Sequence, residues 1–135
     1  MAATRLDLSG DFAIDRGTTW AMELDFATTA DGLTPGPAWD LTGATARVEF
    51  RPGYVNDAGK VVTLGAPVKT LTVGAGLAIT PLTGVIVATL TPAETRAFVA
   101  GARLVYDLRI YTGAAEDRPI FGTVTVREQI TAPGP

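Results

Sequence analysis

Two carboxylates, Glu23 and Asp25, stand two residues apart in this chain, within an alternating apolar series of Trp20, Met22, Leu24 and Phe26. Period two puts both acids on the polar face of one strand, about 7 Å from one another. Glycosidases hold an acid and a nucleophile or base at about 5 to 9.5 Å, but normally draw them from different strands around a deep cleft. The expectation for Glu23 and Asp25 is therefore a solvated outer face. Asp7, Asp11 and Asp15 recur at four-residue spacing and offer hard oxygen ligands. A calcium loop needs Asp-x-Asp-x-Asp-Gly; here Gly17 follows Arg16, so these three read as solvated turn residues.

Histidine and cysteine do not occur anywhere. Their absence removes the commonest general base, the thiolate nucleophile, disulfides and the usual zinc ligands. No catalytic residue, cofactor or metal ligand is assigned, and the chain is expected not to be an enzyme. Trp20, Trp39 and Tyr54 could stack on a sugar ring. Trp20, however, fits the inward face of its strand, and Trp39 precedes an Asp-Leu-Thr-Gly turn that it could staple to the sheet edge. Only Tyr54 lies in a loop, which leaves a weak carbohydrate contact as a subsidiary expectation. Gly74-Ala75-Gly76 lacks a phosphate loop's lysine and following helix, so it reads as a hairpin or bulge.

Mixed charge is the remaining signal. Arg47, Glu49 and Arg51 alternate on one strand, and Arg103, Asp107 and Arg109 share the outward face of another. Such strips are either a solvated outer sheet or a subunit interface, where arginine pairs bidentately with a neighbour's carboxylate. Within one chain, alternating Arg and Glu can pair across strands, worth a few tenths of a kcal/mol when exposed. These six residues and Tyr54 form the candidate interface.

The chain has 135 residues, 47% of them hydrophobic, enough to bury a core in one domain without disulfides or metals. Its apolar stretches fall short of the roughly 18 residues a membrane helix needs, and Met1 to Asp7 turns polar at once, unlike a secretory signal. A cytoplasmic origin and no membrane partner are expected. Eleven basic residues against 14 acidic give a net charge of −3, with no basic run. Phosphate binding wants clustered positive charge, so no nucleic-acid partner is expected.

The elements that must position these residues are mostly strands. Beyond Trp20 to Phe26, a second alternation runs from Ala44 to Arg51, with Ala46, Val48 and Phe50 facing inward. Val61 to Leu64, Lys69 to Val73 and Leu77 to Thr80 read as short strands. Val85 to Leu90 is a continuous apolar run, expected to be covered on both faces. Leu104, Tyr106, Leu108 and Ile110 alternate with Arg103, Asp107, Arg109 and Tyr111. Gly113 to Asp117 then turns the chain into Pro119 to Ile130. One helix-start signal interrupts this pattern. Thr91-Pro92-Ala93-Glu94 combines a capping threonine, proline at the first helical position and a reaching glutamate, predicting a short helix near residues 92–99 before Gly101. About eight short strands with turns between them predict an all-β sandwich, one domain over 1–135. The loop bearing Pro35 and Pro37 (Thr28 to Ala38) and the tail 131–135 are expected to order on binding.

Three segments together resemble the N-terminal domain of phage upper-baseplate proteins and related tail modules. The first is Phe12 to Trp20, with its Arg16-Gly17 turn. The second is Trp39 to Arg51, with Asp40-Leu41-Thr42-Gly43 leading into a strand. The third runs from Gly74 to Thr131 and includes Leu90 to Thr95, Val105 to Leu108 and Ile120 to Val126. This resemblance implies an immunoglobulin-like β-sandwich that serves as a virion structural protein, made in a host cytoplasm. Its implied partners are other virion proteins and copies of itself. A capsid decoration protein and a carbohydrate-binding module are the alternatives.

Overall fold

The computed structural model describes residues 4–26 and 39–128; the loop from Thr28 to Ala38 and the tail 131–135 lie outside them. Within these bounds the chain forms β1 (Thr4–Arg5), β2 (Ile14–Asp15), β3 (Trp20–Asp25), β4 (Thr45–Val55), β5 (Val61–Thr63), β6 (Lys69–Val73), β7 (Gly76–Thr80), β8 (Val85–Leu90), α1 (Pro92–Arg96), β9 (Leu104–Thr112), β10 (Ala115–Val124) and β11 (Val126–Arg127). One mixed sheet runs β1-β10-β9-β4-β6-β7-β8-β3, with β5 added beside β4, while β2 and β11 pair separately.

The expected all-β, sandwich-like fold with one short helix is present, and its layers are two halves of that one curled sheet. In a flat sheet β4 and β3, four strand steps apart, would be separated by about 19 Å. Instead the Phe50 ring of β4 meets the Trp20 ring of β3 edge-on at 6.3 Å between centroids. Phe98 and Tyr106 pack on the same Phe50 ring at 5.6 and 6.2 Å. Around this cluster Val48, Leu71, Ile86, Leu90, Leu108 and Ile110 are fully buried, as the alternation of β4 and β9 predicts. Trp20 also donates its indole N–H to the Phe12 carbonyl (2.9 Å), which satisfies its polar atom inside the core.

Helix α1 carries the chain from β8, in one half of the sheet, to β9, in the other. Its capping box is complete: the Thr91 hydroxyl accepts from the Glu94 N–H (3.2 Å) and Glu94 accepts from the Thr91 N–H (2.9 Å). The helix ends at Arg96, three residues before the predicted limit. The last bonds, from Ala97 N–H to Glu94 and from Phe98 N–H to Thr95, have already tightened to i→i+3. A helix this short has little stability of its own, and docking Phe98 on Phe50 decides where it stops. Thr95, fully buried, fixes the other side: its hydroxyl accepts from the Gly17 N–H (3.0 Å) and donates to the Thr18 carbonyl (2.7 Å). Arg16 adds a bond to the Arg96 carbonyl at the helix end (3.0 Å). The Arg16-Gly17 turn is therefore a clamp on α1.

At the opposite edge the N-terminal segment lies parallel to β10. Leu6 and Leu8 N–H groups donate to Phe121 and Thr123 carbonyls at 2.8 Å, and the Tyr106 hydroxyl reaches the Leu6 carbonyl at 2.5 Å. Burial, helped by the Asp7 charge, raises the Tyr106 pKa, so the hydroxyl remains a donor. The contact needs glycine at position 122, where a Cβ would sit 2.3 Å from the Leu6 oxygen. Asp7 stands beside it; burial pushes its carboxyl up, but the Thr123 N–H and Arg5 outweigh that and hold it below its usual range.

Three expectations are corrected. Gly74-Ala75-Gly76 makes no hairpin: β7 resumes parallel to β6, with Thr72 opposite Gly76, so the chain loops back and restarts one strand over. Gly76 has φ 102°, and a Cβ there would meet the Leu71 side chain at 2.5 Å. Strand β8 is covered on one face only. Ile86, Ala88 and Leu90 are buried, while Val85, Val87 and Thr89 stay half-exposed beside Asp25, Glu23 and Ala21; their β-branches suit a pleated outer face without full burial. The β9–β10 turn is shorter than Gly113 to Asp117: only Gly113 and Ala114 separate the strands, with φ 59° at Gly113.

Replacing Thr95 with valine keeps the shape but leaves the Gly17 N–H and Thr18 carbonyl without their partner. Urea unfolding should show a loss of about 1–3 kcal/mol, largely restored in Thr95→Ser. Acid should weaken the fold through Asp7, Asp15 and Glu94, whose pKa values all lie below normal. Asp15 is lowered mainly by Arg127, and Glu94 mainly by Lys69 and the Thr91 N–H. A depressed folded pKa contributes stability above the ordinary value, 3.8 for Asp and 4.5 for Glu, and loses it as pH falls through the folded one. The melting temperature should therefore hold steady from neutral pH down to about 5 and fall below it, less steeply in Glu94→Gln.

Candidate functional site

The outer face of β4, β9 and β10 carries the candidate interface, and its register sets the charge pattern. Arg47 lies directly opposite Arg109, and Glu49 directly opposite Asp107. Like charges thus face each other across the β4–β9 ladder, an arginine row beside a carboxylate row. Sequence reasoning expected opposite charges to pair across strands. Among the described residues no ion pair crosses from β4 to β9: the register sets like charges directly opposite, and each acid is taken by an arginine of its own strand. The pairs run along the strands instead: Arg51 to Glu49 at 2.8 Å, Arg109 to Asp107 at 3.2 Å, and Arg47 within 4.0 Å of Glu49.

Strand β10 completes the face. Arg109 also reaches Glu116 at 2.6 Å, and this bond, aided by the Asp107 charge against the opposing effect of burial, raises the guanidinium pKa. Pro119 cannot donate to the ladder, and the register slips between Asp117 and Ile120. At this bulge the Arg118 guanidinium stands over the Phe121 ring, 4.9 Å from its centroid. Among the described residues Arg118 has no carboxylate partner.

These side chains and β5 enclose a groove of roughly 400 Å³ lined by Glu49, Arg51, Asp107, Arg109, Glu116 and Arg118, with Val61, Thr63 and Tyr111 at its sides. Four of the seven predicted interface residues meet there: Glu49, Arg51, Asp107 and Arg109. Arg47 stands beside the groove. Tyr54 does not lie in a loop as expected: β4 runs on through Pro52-Gly53 and sets Tyr54 opposite Val62 of β5, where it pairs with Arg103, the guanidinium 5.3 Å from the ring centroid. Glu116 and Arg118 were missed because the overlong turn placed Glu116 in a loop. The signal that could have found them is the two-residue connection at Gly113-Ala114, which brings residues 115 onward back along β9.

The sequence matches no protein-family model and no curated protein.

The other sequence candidates are dispersed. Glu23 and Asp25 point outward from β3, and Asp15 forms a fork with Arg127 (2.6 and 3.1 Å). Among the described residues no three carboxylates gather as a metal site. Trp20 is core, and Trp39 lies edge-on against Phe26 at 6.2 Å beside a turn in which Asp40 accepts from the Thr42 N–H at 2.9 Å. The Arg103 guanidinium covers one face of Tyr54, and among the described residues Trp20, Trp39 and Tyr54 do not line up as one open aromatic strip. A second, smaller pocket of roughly 300 Å³ lies between Val68, Ala93, Ala97 and Phe98, beside the Lys69–Glu94 ion pair.

Burial of Trp20 has a spectroscopic consequence. In a Trp39→Phe variant Trp20 is the sole tryptophan, and its emission should be blue-shifted and resist iodide quenching. Strong quenching would show that the indole is open to ligands.

Proposed function

We propose that this chain is a non-enzymatic structural module of a phage virion, placed in the tail or baseplate, that docks onto copies of itself and onto other virion proteins. The observation that carries this proposal is the mixed-charge face of β4, β9 and β10. Its carboxylates are engaged by arginines while the arginine side chains keep open surface, with exposures of 51% at Arg47, 36% at Arg51 and 43% at Arg109. Half-exposed arginine is well suited to docking, since its fork accepts a second carboxylate from a neighbour.

The fold supports the same function. The segments that resemble baseplate modules occupy connected parts of one structure: the Arg16-Gly17 turn clamps α1, the Asp40 turn feeds β4, and α1 delivers the chain to β9. A rigid sandwich with a charged sheet face is a building block whose work is positioning. The chemistry required is recognition rather than bond breaking.

Immunogold electron microscopy of particles from the source phage, with antibody raised against this chain, tests the assignment. Label at the tail tip or along the tail is the expected result. Label over the head would replace it with a decoration role, and unlabelled particles would overturn it.

A further inference from the structure

The charge rows specify a partner. Four guanidinium groups, Arg47, Arg51, Arg109 and Arg118, share the face with three carboxylates, Glu49, Asp107 and Glu116. Such a balance neither attracts nor repels a uniformly charged partner strongly, which argues against nucleic acid or an acidic peptide. It matches a surface whose rows alternate with the same spacing.

This chain is itself such a surface. The arginine row (Arg47, Arg109) and the carboxylate row (Glu49, Asp107) are two residues apart along their strands, about 7 Å. A two-fold axis lying just above the outer face, parallel to the sheet and to the rows and level with Val48 and Leu108, carries each row over the other. Arg47 then lies over the second copy's Glu49, and Arg109 over the second copy's Asp107, each contact formed twice. Strand register lets one axis serve both strands, because Val48 and Leu108, the midpoints between arginine and carboxylate on β4 and β9, lie directly opposite one another.

The arginines required keep open surface, and the Glu49 and Asp107 side chains are 20% and 22% exposed. Arg47 is half-exposed and no closer than 4.0 Å to Glu49, and Asp107 uses only Oδ2 toward Arg109, leaving Oδ1 without a hydrogen bond among the described residues. The groove is floored by the strands and walled by arginine stems and β5, so arginines of one copy can enter the carboxylate row of the other. We infer that the β4–β9 face is an isologous, salt-sensitive interface between two copies of this chain. This deepens the self-docking part of the proposed function and rests on it.

Sedimentation velocity tests the inference, first on the unaltered chain and then on two charge-uniform variants, R47E/R109E and E49R/D107R, each checked for folding by circular dichroism. The unaltered chain should dimerise at about 50 mM salt, with a dissociation constant at least about tenfold weaker at about 500 mM. Each variant alone should be at least about tenfold weaker, and an equimolar mixture of the two should associate again, because acidic rows then oppose basic rows. A monomer at low salt, a dimer indifferent to salt, or two folded variants whose mixture stays monomeric would each overturn the inference. Should the variants fail to fold, the salt series of the unaltered chain decides alone. The two failures are separable: a chain found in tails but dimeric through another face loses only this interface, whereas a salt-sensitive dimer that no particle contains loses the virion assignment.

Discussion

The structure depends on Phe50. A sheet of this many strands cannot bury one face while flat, so it must fold back on itself, and Phe50 is where the two halves meet. Trp20 arrives from the far edge, Phe98 from the connection between halves, and Tyr106 from the adjacent strand. Aromatic pairs of this kind contribute about 0.5–1.5 kcal/mol each beyond their buried area. Their larger role is geometric, since edge-on packing of Trp20 and Phe98 on Phe50 sets how tightly the sheet curls.

The other elements hold that curl closed. Helix α1 is too short to be stable alone, and it forms because it is fixed at both ends: the capping box at its start, Phe98 and Thr95 in the interior. Thr95 converts what would be a costly buried hydroxyl into two bonds with the Gly17-Thr18 turn. On the opposite edge the N-terminal strap, held by Tyr106 and by the space that Gly122 leaves, covers β10 and removes one open sheet edge.

With the inner face fixed, the outer face follows without further choice. Period two sends Arg47, Glu49, Arg51, Asp107 and Arg109 outward once Val48, Phe50, Leu108 and Ile110 are buried, and the core register then places like charge opposite like. Core packing therefore dictates the pattern that a partner meets. Each exposed pair is worth little to stability, which leaves these charges free to serve recognition.

The strands that alternate, the capping box at Thr91, the Asp40 turn and the inward placement of Trp20 were legible in the sequence, because each rests on local spacing or on hydrogen bonds within a few residues. The all-β class followed from the same periodicities. The tertiary structure alone decided the parallel restart at β7, the early end of α1, the half-open face of β8 and the two-residue turn before β10. It also decided that Glu49 faces Asp107, and that Glu116 and Arg118 join them while Tyr54 and Arg103 stand apart. Local signals report which way a side chain points along its own strand. Which residue stands beside it depends on the register between strands about sixty positions apart, and that register is set by burial of the whole inner face.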